Sequence, residues 1–226
     1  MSDERRRSDV PPMRPRLAAS LILTRGRGAR TEVLMGRRSS RHVFMPNKYV
    51  FPGGRVDRAD GTAPFARDLD RGVMDIMQRF LPERRARAAA AAAVRETAEE
   101  TGLLIAREGA CRSRHANWAP FRRHGVVPDL APLSLITRAI TPPGRTRRFD
   151  TWFFTADAAA LHGDRPPTPS SELEDVQWVP LAEARDLDLP SVTHFVLDEL
   201  VRVQPPRPEP PRHIRDRRGR MWVEPL

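Results

Sequence analysis

Nine residues near the middle of the chain, Arg95-Glu96-Thr97-Ala98-Glu99-Glu100-Thr101-Gly102-Leu103, combine acids, an arginine and a terminating glycine in a pattern suited to chemistry. On a helix, Glu96 lies three positions from Glu99 and four from Glu100, so three carboxylates share one face. Like charges so spaced weaken a helix by roughly 0.2–0.5 kcal/mol per pair. The alanine run Ala88–Ala93 and the stop at Gly102 favour a helix there all the same. A cation removes the repulsion, and clustered carboxylate oxygens suit a hard divalent ion such as Mg2+ or Mn2+. A solvated acidic face is the simpler alternative. No lysine interleaves with the carboxylates, and the alanine-rich stretch before them is apolar as a buried helix is, which favours the metal site.

Upstream, Tyr49-Val50-Phe51-Pro52-Gly53-Gly54 reads as a strand running into a tight turn, where two glycines permit close backbone approach to a ligand. Together the two segments resemble the Nudix box, G-x5-E-x7-R-E-U-x-E-E-x-G-U with U an aliphatic residue. Arg95, Glu96, Glu99, Glu100, Gly102 and Leu103 match it, while Thr97 occupies the first aliphatic position. In the motif fourteen positions separate the glycine from the arginine. Here Gly54 and Arg95 are forty-one apart, an insertion of about twenty-seven. Counting forward from Gly54 puts the first box glutamate on Asp60; counting back from Arg95 puts it on Arg87. No role is assigned to either position.

The resemblance implies a loop–helix–loop unit that binds divalent metal and hydrolyses a nucleoside diphosphate linked to another moiety. It implies Glu96, Glu99 and Glu100 as ligands of Mg2+ or Mn2+, joined by the Gly53 carbonyl, with Arg95 holding a glutamate by a salt bridge. The general base in such enzymes is a box glutamate or an acid on a distant loop. Glu172 and Glu174, just ahead of a strand, are the distant candidates. Guanidinium forks match phosphate oxygens, so Arg147 and Arg148, beside Phe149 and Asp150, form a candidate substrate segment. Arg38 and Arg41 on the loop before the glycine turn, and Gly54 itself, complete that set. The insertion, the 42–47 loop and Arg147–Asp150 also look like the branch that contains acyl-coenzyme A diphosphatases, without a full match to its extended signature. A nucleotide-metabolite sensor and an RNA 5′-end hydrolase are the rival functions.

The elements that must position these groups follow from periodicity. Leu17–Thr24 is a buried strand, paired as a hairpin with a second at Glu32–Gly36, and Lys48–Phe51 is a third. Within the insertion, about 55–85, Val73, Ile76, Met77 and Phe80 recur at helical spacing and predict a helix ending near Pro82. It packs on the domain's flank; a lid or a homodimer contact is the sharper alternative. Asp57, Asp60, Asp68 and Asp70 are expected to be solvated turn residues. A strand begins at Leu103–Ile105, and strands at Leu133–Ile140 and Thr151–Thr155 flank a turn-rich basic loop. Val176–Pro180 is the last strand and Val192–Val203 an apolar-periodic helix. The pattern predicts an α/β sandwich with a mixed sheet, in agreement with the α/β/α fold the resemblance implies. Residues 1–15 are expected to form a disordered arm, 16–203 the domain, and 204–226 a Pro/Arg-rich tail without fixed structure in which Trp222 alone could dock.

The chain has 226 residues, enough for one full core. Its single cysteine, Cys111, precludes an internal disulfide and fits a reducing compartment, the cytoplasm. No apolar run approaches the ~18–20 residues of a membrane span, and the N-terminus lacks a secretory h-region. The net charge is +10, carried by arginine with Lys48 the only lysine. Few aromatics interleave with the basic residues, which disfavours a nucleic-acid surface and leaves a small phosphate-bearing partner.

Overall fold

The computed structural model describes residues 13–40, 46–203, 209–217 and 219–226. Its centre is β1 (Arg16–Arg25), whose apolar run alternates between two cores. Ala19, Leu21 and Leu23 enter one cluster with the helix alanines, and Ile22 enters another on the opposite face. That alternation follows from the two-residue repeat of a strand buried on both sides. β2 (Glu32–Arg38) pairs antiparallel with β1, and β3 (Tyr49–Val50) pairs with β2. β4 (Gly53–Arg55) lies antiparallel against the first half of β1.

Two helices follow. α1 (Arg71–Gln78) is N-capped by Asp70, whose carboxylate accepts the Gly72 N–H at 2.8 Å. It buries Met74 and Met77 in the alanine-side core, with Val73 and Ile76 packed at its edge. The insertion helix is thus a packing element. Phe80, beyond its end, stays partly exposed and meets Trp152 edge to face at 6.1 Å. α2 (Glu83–Thr101) runs unbroken for 19 residues. Its six consecutive alanines are all buried, so the helix approaches the sheet without bulky side chains between them. Thr97 tolerates its fully buried position because its hydroxyl donates to the Ala93 carbonyl, 2.8 Å away in the previous turn. Gly102 caps the helix in the left-handed region (φ +71°), where a Cβ would also meet the Thr168 hydroxyl at 2.8 Å.

β5 (Ala106–Glu108) and β6 (Val126–Pro128) form a separate two-stranded sheet around α3 (Ala119–Arg123), which buries Phe121 next to Trp118. Leu103–Ile105 are buried but precede β5 rather than opening it. β7 (Ser134–Ile140) and β8 (Phe149–Asp157) pair antiparallel, and β8 runs parallel to β1. β9 (Leu173–Pro180) pairs with β2, and α4 (Ser191–Val203) covers the second core with Val196, Leu197 and Leu200. Helices on both faces of one mixed sheet make the expected α/β/α sandwich.

The C-terminal segment departs from expectation. β10 (Arg212–Arg217) and β11 (Arg220–Pro225) form an antiparallel hairpin, and β10 joins β7 in parallel, so β9 is not the last strand. Arginine and proline content suggested a tail without structure, but a neighbouring strand satisfies the backbone of this one. Trp222 remains 49% exposed, with the Arg217 guanidinium 5.4 Å from its ring.

Candidate functional site

The site lies where α2 crosses β4. β4 is pressed onto β1 so closely that a Cβ on Gly53 would come within 2.6 Å of the Ala19 carbonyl oxygen. On the other side, a Cβ on Gly54 would fall 2.5 Å from Glu96 Oε1. Space requires glycine at 53, where the clash is with backbone; at 54 a Cβ would displace the Glu96 carboxylate, and the two together bring bare backbone against the acidic face of the helix. The Gly53 N–H donates to Glu100 Oε2 at 2.9 Å.

Arg95 organises the other carboxylates. Its Nε and Nη2 donate to the two oxygens of Asp60 at 2.8 and 3.1 Å, and Nη2 also donates to the Arg55 carbonyl at 3.0 Å. Its Nη1 faces Glu96 Oε1 at 2.8 Å and Glu99 Oε2 at 2.9 Å. The side chains of Arg95 and Asp60 are 3% and 0% exposed. Asp60 is therefore not the solvated turn residue expected of it. It sits in a 3-10 turn (Arg58–Thr62), where the Asp57 N–H donates to its carboxylate at 2.7 Å. Asp68 likewise pairs with Arg87 and Asp70 caps α1, so neither is simply solvated. The forward count from Gly54 was the signal that could have identified Asp60.

Burial and crowding disfavour negative charge on the helix. Burial, then repulsion from Glu99 and Glu172, outweigh Arg95 and push the Glu96 carboxyl up to about 7. Glu100, 6% exposed, is held well above the usual carboxylate range by burial and by Glu96, despite the Gly53 hydrogen bond and Arg38. Glu99 is raised as well, by burial and by Asp60 and Asp57 against the pull of Arg95. The Arg95 guanidinium is lowered by burial but raised further by Asp60, Glu96 and Glu99, so it stays charged. Among the described residues no three His, Cys, Asp or Glu side chains stand grouped as a ready metal cage. The donor chemistry nonetheless fits a hard divalent cation: mutually repelling carboxylates, with Glu100 buried, Glu96 half-buried and Glu99 exposed, gain from positive charge beside a backbone turn.

The remaining sequence candidates divide. Glu172 and Arg38 come to the site: both act on Glu96 or Glu100, and burial lowers the Arg38 guanidinium against the fields of Glu100, Glu172 and Glu96. Glu174 faces Arg37 on β2 at 3.6 Å instead. Asp150 is gripped by both arms of Arg138 at 2.7 Å, and that guanidinium lies 4.9 Å from the Trp152 ring. Its carboxylate is committed to packing the sheet. Arg147 and Arg148 line a cavity with Arg55, next to Gly54, rather than approaching the glutamates. Arg41 lies outside the described residues.

The chicken (Gallus gallus) acyl-coenzyme A diphosphatase NUDT19 is 27% identical over 234 residues, an alignment covering 73% of this chain and 61% of that protein. The chain thus spans less than two thirds of that relative's length. The crystal structure of a NUDIX hydrolase from Alicyclobacillus acidocaldarius superposes with a TM-score of 0.62 at 29% identity, covering 82% of this chain and 90% of that one. The family model of the NUDIX domain matches residues 81–202, over half of the chain. With its carboxylate helix, glycine turn and sandwich accounted for, the protein belongs to the Nudix family.

Proposed function

We propose that this protein is a metal-dependent diphosphatase that hydrolyses a diphosphate linkage in a nucleoside diphosphate derivative, with coenzyme A and acyl-coenzyme A as leading substrates. The observation that carries the reading is the acidic face of α2 set against the Gly53–Gly54 turn: Glu100 accepts from Gly53, Glu96 packs on Gly54, and Arg95, braced by Asp60, holds Glu96 and Glu99. The acyl-coenzyme A diphosphatase name of the chicken relative supports the choice of substrate. Glu96, Glu99, Glu100 and the Gly53 carbonyl would hold Mg2+ or Mn2+. Such an ion neutralises developing charge on the phosphates, orients their oxygens and lowers the pKa of a bound water.

The chain's own groups have distinct tasks. Arg95 is a positioning residue, since its guanidinium is spent on Asp60, Glu96, Glu99 and the Arg55 carbonyl. Glu172, in the field of Glu96 and Glu100, is the better placed of the two distant acids to accept the proton of the attacking water. Arg38, in the field of the same carboxylates, would bind diphosphate oxygens. The buried free thiol of Cys111 suits a cytoplasmic setting.

The test is a panel of ADP-ribose, NADH, coenzyme A, acyl-coenzyme A and dinucleoside polyphosphates incubated with Mg2+ or Mn2+, with products identified. Turnover of at least one is expected, abolished by chelator. Glu99→Gln and Glu100→Gln should each lower it by at least ~100-fold, the scale of losing charge stabilisation in a transition state. Mn2+ should also raise the melting temperature of the wild-type protein more than that of either variant. Undiminished turnover in both variants would overturn the assignment.

A further inference from the structure

A cavity of about 430 Å3 opens beside the site, lined by Met13, Arg16, Arg55, Arg147, Arg148 and Phe149, with Thr146 at its edge. Four guanidinium-bearing residues surround it and no acid does. Arg16, Arg55 and Arg147 have no acidic partner among the described residues. Arg148 is tethered through backbone oxygens alone, its Nε to Thr141 at 3.0 Å and its Nη1 to Met13 at 2.7 Å. The nearest acid on β8, Asp150, is neutralised by Arg138. A neighbouring cavity of about 540 Å3 shares Arg16 and Arg55 and adds Arg58, Arg84 and Arg85 against one acid, Asp57, so the positive excess extends along the insertion. Gathering like charges in this way is unfavourable unless an anion occupies the space.

The location narrows the anion. Arg55 directly follows Gly54 on β4, and its carbonyl receives the Arg95 Nη2 at 3.0 Å. At a strand rise of about 3.3 Å per residue, Arg55 stands only about 7 Å along the strand from Gly53. Arg16 is brought alongside by the β1–β8 register, in which it lies opposite Phe149. The cavity is therefore adjacent to the carboxylate cleft yet separate from it, and Phe149 offers an aromatic edge.

We propose that the cavity is a second phosphate site, which takes a phosphate monoester carried on the nucleoside portion of the substrate, apart from the diphosphate that is cleaved. A monoester bears about −1.5 to −2 charges at neutral pH and three free oxygens, which several guanidinium forks can share. The substrate class becomes nucleoside diphosphate derivatives with an additional phosphate on the sugar. The identity of the molecule that carries the monoester rests on the diphosphatase reading above; the phosphate site itself does not.

The experiment separates the two. Calorimetric titration of the full, metal-free chain compares adenosine 3′,5′-bisphosphate with adenosine 5′-monophosphate. The bisphosphate should bind at least about tenfold more tightly, and Arg16→Gln or Arg55→Gln should each remove most of that preference. Both side chains are exposed, so the variants should keep the wild-type melting temperature. In turnover with Mn2+, the preference in kcat/KM for coenzyme A over 3′-dephospho-coenzyme A should fall towards unity in these variants, through KM. Equal affinity of the wild-type protein for the two nucleotides overturns the site, whatever the turnover. Intact preference without hydrolysis of any diphosphate overturns the hydrolase reading and leaves the site standing. Affinity for an RNA oligonucleotide that grows with its length and falls steeply with salt, without bisphosphate preference, also overturns the site in favour of a polyanion surface.

Discussion

Asp60 and Arg95 illustrate how a displaced residue can be recovered by geometry. The family match begins at residue 81, so the glycine turn and Asp60 lie before it. The insertion lengthens the path from Gly54 to Arg95, yet the chain returns a carboxylate to the arginine with two hydrogen bonds. Both partners are almost wholly enclosed, and removing one leaves the other's charge inadequately matched. Asp60→Asn is expected to lower stability by about 3 kcal/mol, the scale of a broken buried ion pair. Its turnover should fall as well, because Arg95 would be freer to pull on Glu96 and Glu99. Denaturant melts check the first outcome and kcat the second. A variant as stable as the wild type would mean that the remaining glutamates suffice for Arg95.

At the scale of elements, the C-terminal hairpin is fastened to α4 by one carboxylate. Glu199, with a fully buried side chain, accepts from Arg202 Nη2 at 2.7 Å and is also paired with Arg212 at the start of β10. Burial alone would raise this carboxyl; the hydrogen bonds from Arg212 and Arg202 outweigh it and hold the group below its ordinary range. A carboxyl lowered on folding stabilises above its unfolded pKa, and that contribution is lost as pH falls through the folded value. Glu199→Gln should therefore cost at least about 2 kcal/mol at neutral pH, the worth of charge-assisted hydrogen bonds. The gap between variant and wild type should close as pH falls below the ordinary glutamate range, through the lowered folded value. Melts across that range provide the measurement, and a gap independent of pH would contradict the clasp.

For the whole molecule, the charge of +10 acts at a distance. An arginine adds nothing to that excess where it is paired locally, as Arg87 is with Asp68 and Arg138 with Asp150. The arginines around the cavity are not, and their field points an anionic substrate to the cleft. Raising salt from about 10 to 150 mM shortens the Debye length from about 30 to 8 Å. Over that range kcat/KM for a diphosphate substrate should fall by up to about tenfold while kcat holds. Steady-state kinetics at several salt concentrations test this, and a flat profile would leave the net charge without a role in capture.

The sequence by itself determined what short-range physics controls. Alanine propensity and the left-handed glycine at 102 define α2, three-four spacing aligns Glu96, Glu99 and Glu100, and two-residue alternation makes β1 the centre of a two-sided sheet. Tertiary structure alone decided which distant groups neutralise one another. Asp60 belongs to Arg95, Asp150 to Arg138 and Glu199 to Arg212, pairs separated by 35, 12 and 13 positions. A segment rich in arginine and proline became β10 because β7 offered it an open edge. Partners of this kind are set by how the chain closes on itself, which local spacing does not encode.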